Sequence, residues 1–202
     1  MPKIKAVTFD WGGVLADNVF NDLLNFYSSF LQVDIDRLRP VYEKYYHDFL
    51  VNRIKEPDFW NNICRDLQKS NPVGNGSLMR AAFVQAYKPH NRVIELVIRL
   101  EKKGYLLGLL SNAEAPAAKF FFDQDYLHFD AVVFSSMVGY EKPEQKIYRL
   151  LLDELGTKPE ETIFIDDLEE NVQGARQAGL ASFRFLNPEQ VQAELAKFGV
   201  EI

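Results

Sequence analysis

From about residue 91 onward, short apolar runs alternate with helical stretches, and this alternation limits the fold more than any other feature. The runs "YLLGLLSN" (105–112), "DAVVFSS" (130–136), "ETIFIDD" (161–167) and "ASFRF" (181–185) read as buried strands. Between and after them lie "APAAKFFFDQ", "KPEQKIYRLLLDELG", "LEENVQGARQAG" and "NPEQVQAELAKFG", which read as helices. Pro143 stands early in the second of these, Gly156 ends it, and Asn187 caps the last. "NRVIELVIRLEKKG" opens the series as a helix, with Val93, Ile94, Val97 and Leu100 on one face and Gly104 as its stop. Strands separated by whole helices imply a mainly parallel sheet covered on both faces, a Rossmann-like α/β architecture.

A further strand, residues 4 to 10 in "IKAVTFD", needs the same sheet. Residues 18 to about 90 instead carry aromatics at helical spacing, as in "NDLLNFYSSFL", "LRPVYEKYYHDFL" and "EPDFWNNICRDL", with Pro57 suited to a first helical turn. The spacing predicts an all-helical insertion at 17–90 within a core formed by 1–16 and 91–202. The cap-side aromatics, and Cys64 among them, read as packing between helices.

Charge and cysteine content narrow the function classes. The 202 residues carry a net charge of -6 and no basic stripe, which argues against a nucleic-acid partner. The single cysteine permits no internal disulfide and fits a reducing, cytoplasmic setting. No segment approaches the roughly 20 apolar residues of a membrane span. No long apolar seam demands a partner, so a monomer or weak dimer is expected.

Ligands of open parallel sheets bind beyond the carboxyl ends of the strands. The first strand ends in Asp10, followed by Trp11, Gly12 and Gly13. The second ends in Ser111-Asn112, and "TIFI" ends in Asp166-Asp167, with Asn171 just beyond. Lys142-Pro143 follows the third core strand. Three carboxylates in one cleft repel unless a cation compensates. With no His or Cys among them, the donor set suits magnesium shared with a phosphate. Lys142 and Ser111 suit the remaining phosphate oxygens, and the glycines let backbone N–H groups approach. Asp10 is placed as a nucleophile.

The set "FDWGGVL", "LLSN", "GYEKPEQKIY" and "FIDDLEENVQGARQAG" resembles the four signature motifs of the haloacid dehalogenase (HAD) superfamily, in their order. The likeness is strongest to small capped phosphatases of the glucose-1-phosphate phosphatase type, with the insertion as cap. The resemblance implies that Asp10 attacks phosphorus and forms an aspartyl-phosphate. Ser111 and Lys142 would bind the phosphoryl group. Asp10, Asp166 and the Gly12 carbonyl would hold Mg2+, assisted by Asp167. Asn112 and Asn171 would lie near the phosphate or support the loops, and Trp11 would line the pocket or pack beneath the cap. The expected substrate is a small phosphorylated metabolite, with sugar phosphates as the leading class.

One departure matters. Most HAD phosphatases carry an acid/base Asp where this chain has Gly12, a loss typically worth roughly 10²–10⁴-fold in rate. Asp17, His47 or a cap residue would have to substitute, or the substrate would need a good leaving group. Two alternatives follow from Gly12: a non-catalytic phosphate-binding protein, and a metal-independent 2-haloacid dehalogenase, to which the Asp166-Asp167 pair is poorly suited. The bland readings are that Ser111-Asn112 opens a helix as an N-cap and that Asp167 or Asn171 caps the helix after it. The three histidines, His47, His90 and His128, show no ligand spacing.

Overall fold

A computed structural model describes residues 3–74, 76–124 and 127–202 of the chain. Five strands form one parallel sheet: β1 (Ala6–Phe9), β2 (Leu106–Ser111), β3 (Ala131–Phe134), β4 (Thr162–Asp166) and β5 (Ala181–Arg184), in the order β3-β2-β1-β4-β5. The first strand is therefore central, with Phe9 paired to Leu109 on one side and to Ile165 on the other. Its residues are wholly buried, as a strand covered on both faces must be. The chain builds outward from β1 to β3, then returns to the other side for β4. The β1–β4 seam is thus the point where strand order reverses.

Between β1 and the next strand run α1 (Phe20–Leu31), α2 (Ile35–Leu50), α3 (Glu56–Asp66), α4 (Leu78–Ala86) and α5 (Asn91–Lys102). The first four form the helical block that the aromatic spacing predicts. Their inward faces interlock through rings: Tyr27 meets Trp60 at 4.8 Å, and Phe49 stacks on Phe59 at 4.2 Å. Cys64 is buried in this packing, as expected of a core thiol.

The remaining helices are α6 (Ala115–Phe122), α7 (Ser135–Val138), α8 (Gln145–Leu155), α9 (Glu169–Gln177) and α10 (Pro188–Lys197). Asn187 caps α10 as predicted, its side chain accepting from the Gln190 N–H. Three local expectations are corrected. Ser135 and Ser136 do not extend β3 but open the short α7, because Ser135 Oγ donates to the Leu50 carbonyl and turns the chain toward the helical block. Lys142 and Pro143 precede α8 rather than starting it; the bond between them is cis, and the helix begins at Gln145. Ser111-Asn112 does not cap α6, whose N-cap is Glu114. The Ser111 and Asn112 side chains are thereby free for other partners.

Candidate active site

The two strands that flank the reversal point each end in a carboxylate. Asp166 is the last residue of β4, and Asp10 follows β1 directly, its N–H donating to the Ile165 carbonyl. Asp167 comes next on the β4 side. Oxygen atoms of Asp10, Asp166 and Asp167 all lie within 4.8 Å of one another.

A single ammonium group answers two of these charges. Lys142 Nζ lies 2.8 Å from Asp10 Oδ1 and 2.6 Å from Asp166 Oδ2, in a site where both Lys142 and Asp166 are buried. Lys142 is held there through its backbone. The Asn112 side chain accepts from the Lys142 N–H at 2.8 Å and donates to its carbonyl at 3.0 Å. Asn112 thus acts as a two-pronged clamp joining the β2 loop to the loop before α8. Asn171 does not cap α9 but lies inside it, donating from Nδ2 to both Asp166 oxygens at 3.0 and 3.1 Å. Tyr148 in α8 fixes Asn171 in turn, its hydroxyl donating to the Asn171 carbonyl.

The titration of the cluster follows from this geometry. Burial raises Asp10 to about 7, against the pull of Lys142 and with the Asp166 charge adding to the rise. Burial alone would lower Lys142, but the two adjacent carboxylates override it and raise the ammonium. Asp167 is raised by burial and by Asp166. Three carboxylates against one ammonium leave an uncompensated negative site. Every donor is a hard oxygen, so the residues fit a hard divalent cation.

Gly13 has φ near +90°, and a Cβ there would fall 2.4 Å from the Asp167 carboxyl carbon, so a side chain would be strained by the backbone and would have to displace the Asp167 carboxylate. At Gly12 a Cβ would meet nothing within 4 Å. The absence of an acid side chain at position 12 therefore leaves open volume.

That volume belongs to a cavity of about 270 Å³. One end holds Asp10, Gly12, Ser111, Lys142, Asp167 and Asn171; the helical block and its linkers supply Asp17, Phe20, Leu23, Tyr46, Leu50 and Phe83. Trp11 resolves the choice left open by sequence in both directions. It lines the cavity, and its ring also packs between Phe83 and Phe121, at 5.7 and 5.4 Å. Of the candidate replacement acids, Asp17 lines the cavity; His47 lies away from it, on Glu141 at 2.7 Å.

Sequence reading passed over Glu114, which is buried on the cavity wall and hydrogen-bonded to Tyr46. Burial raises it to about 6. A carboxylate in an apolar stretch two residues past the Ser-Asn pair was the available signal.

The haloacid dehalogenase-like hydrolase family matches residues 4–179, which include strands β1 to β4 and all of these side chains. The chain belongs to the haloacid dehalogenase-like hydrolases. A HAD-like family hydrolase from Porphyromonas gingivalis aligns over 100% of both chains, with a TM-score of 0.78 and 22% identity. A HAD family enzyme from Bacteroides thetaiotaomicron, solved with magnesium and inorganic phosphate, aligns over 90% of this chain and 93% of its own, with a TM-score of 0.73 and 22% identity. Likenesses at that identity establish the HAD fold. Among curated relatives, the sesquiterpene phosphatase astK of Aspergillus oryzae is 28% identical over 183 residues, 87% of each chain. The glyceraldehyde 3-phosphate phosphatase of Methanopyrus kandleri is 33% identical over 115 residues, 52% of this chain and 49% of its own. Mouse bifunctional epoxide hydrolase 2 is 32% identical over 112 residues, of whose length the matched region is 20%.

Proposed function

We propose that this HAD hydrolase is a magnesium-dependent phosphatase acting on a small phosphomonoester through an aspartyl-phosphate on Asp10. The observation that carries the reading is the oxygen cluster of Asp10, Asp166 and Asp167 with Lys142 wedged between the first two. An anionic group entering such a site needs a cation, which favours a phosphate with magnesium over a bare halocarboxylate.

In this mechanism Asp10, Asp166 and the Gly12 carbonyl hold the ion, with Asp167 assisting. Magnesium bound there would offset the carboxylate charge and draw density from the phosphoryl oxygens. Lys142 and Ser111 bind the remaining phosphoryl oxygens and Asp10 attacks phosphorus. Asn112 and Asn171 position Lys142 and Asp166, and Trp11 walls the pocket. Helices within residues 17–90 act as the cap, closing over the leaving group and excluding water. The leaving group lies against Phe20, Leu23, Leu50 and Phe83, a carbon-rich wall that accepts the face of a sugar ring or an apolar alcohol. The protein works as a cytoplasmic monomer or weak dimer, without nucleic acid or membrane; among the described residues no helix is long and apolar enough to cross one.

The test is phosphate release across sugar, polyol, alkyl and isoprenoid phosphates, with magnesium and with chelator. We expect release that needs magnesium and falls at least roughly 10³-fold in Asp10→Asn, since that variant lacks the nucleophile. No release from any compound would favour the non-catalytic phosphate-binding reading, with Gly12 as its cause.

A further inference from the structure

We propose that Asp17, held by His90, supplies the proton that no side chain at position 12 can supply. This rests on the phosphatase reading above. Ala16 lies against the nucleophile loop: the Gly13 N–H donates to the Ala16 carbonyl at 2.7 Å, and Gly12 and Ala16 form an isolated bridge. Asp17 is therefore rooted beside the open volume at Gly12, and it lines the same cavity as Asp10.

His90 identifies Asp17 as a proton holder. Its Nδ1 lies 2.8 Å from the Val14 carbonyl oxygen and its Nε2 lies 2.7 Å from Asp17 Oδ1. A carbonyl only accepts, so the hydrogen of a neutral imidazole belongs on Nδ1. The contact between Nε2 and the Asp17 carboxyl then requires a second hydrogen between them. Whether drawn as imidazolium and carboxylate or as imidazole and carboxylic acid, the pair holds one transferable proton.

The two segments are fixed in register. The Asp17 N–H donates to the Lys88 carbonyl at 2.9 Å and the His90 N–H to the Leu15 carbonyl at 2.8 Å. The His90 ring also stacks on Phe185, with centroids 6.1 Å apart. Glu114, the other cavity carboxyl outside the Asp10–Asp166–Asp167 cluster, is bonded instead to Tyr46 of α2.

The step balances as follows. The Asp10–phosphorus bond forms as the bond from phosphorus to the leaving oxygen breaks, and that oxygen takes the proton from Asp17 as the alcohol departs. Asp17 remains as carboxylate and His90 as neutral imidazole with its hydrogen on Nδ1. Water then attacks phosphorus, gives its proton to Asp17, and the Asp10–phosphate bond breaks; the pair is restored.

A general acid matters in proportion to how poor the leaving group is. Single-turnover rates are therefore compared for a primary alkyl phosphate and for 4-nitrophenyl phosphate, whose phenolate departs without a proton. In Asp17→Asn the alkyl-to-nitrophenyl rate ratio is expected to fall roughly 10²–10⁴-fold. His90→Gln lowers it in the same direction, and adding Gly12→Asp to Asp17→Asn raises it again. The first-turnover release of nitrophenolate in each variant, which needs no proton from Asp17, reports that the site has folded. A ratio within about twofold of the parent in Asp17→Asn, or a fall confined to Glu114→Gln, overturns the assignment while leaving the phosphatase intact. A parent protein that turns over neither compound overturns the phosphatase reading, and this assignment with it.

Discussion

Lys142 serves structure and chemistry at once, and the two roles separate by measurement. Its ammonium is the only cation within hydrogen-bond reach of buried Asp10 and Asp166 among the described residues. Lys142→Met removes one member of a buried ion network and leaves carboxylates unpaired, a loss of about 3–5 kcal/mol in the metal-free protein. Urea unfolding with chelator present measures it. Phosphate release should fall roughly 10²–10³-fold even with saturating magnesium, because an oriented donor to the phosphoryl group is gone. Glu114 works in the opposite sense. Its carboxyl is raised from 4.5 to about 6 by burial, so the folded state binds that proton more tightly than the unfolded chain. The penalty is absent below pH 4.5, grows as pH rises through the folded value, and is complete above it. Glu114→Gln removes the penalty while keeping an acceptor for Tyr46. The variant is expected to be more stable by about 2 kcal/mol at pH 7.5 and no more stable at pH 4, read from unfolding curves at the two pH values.

At the scale of elements, the helices of the block are held to one another by rings. Phe59 in α3 is wholly buried, stacked on Phe49 of α2 at 4.2 Å and edge-on to Tyr42 at 5.1 Å. Phe59→Ala leaves a cavity between two helices and is expected to cost about 3–5 kcal/mol, measured by thermal unfolding. These elements were legible because period 3.6 survives in α1–α3 and short apolar runs mark β1 to β5. Strand ends and helix starts were less so. The cis Lys142-Pro143 turn and the short α7 depend on contacts with distant segments, such as Ser135 with Leu50. The candidate site divides the same way. Asp10, Asp166, Asp167 and Lys142 could be read because each ends or follows a strand of one parallel sheet, whose topology gathers them. The Asn112 clamp on the Lys142 backbone spans 30 residues and the Asp17–His90 contact spans 73, so no local pattern announces either. Glu114 and Tyr46 meet only when α2 folds back over the sheet edge.

For the whole molecule, the carboxylates that resist ionisation and those that favour it act in separate pH windows. Asp66 and Glu161 are lowered, first by hydrogen bonds from Lys44 and Lys5, and both sit at the surface. Their stabilisation is present above the unfolded carboxylate range and is lost as pH falls through their folded values. Exposed pairs of this kind contribute little. Asp10, Asp167 and Glu114 are raised, first by burial. Their cost is absent at low pH and accumulates as pH climbs from the ordinary carboxylate range, past about 6 for Glu114 and about 7 for Asp10. The metal-free protein should therefore melt at a higher temperature near pH 5 than near pH 8, the reverse of what paired carboxylates alone would give. A divalent cation needs those oxygens ionised, so it should stabilise most where the penalty is greatest. At 100 times its dissociation constant a ligand adds about 2.7 kcal/mol. For a chain of this size that raises the midpoint by roughly 5–10 °C. Thermal scans at pH 5 and pH 8, with chelator and with magnesium, should show that rise at pH 8 and little of it at pH 5. Equal rises at both values would place the ion away from Asp10, and a chelator-treated protein that melts higher at pH 8 would mean that Lys142 already satisfies the cluster.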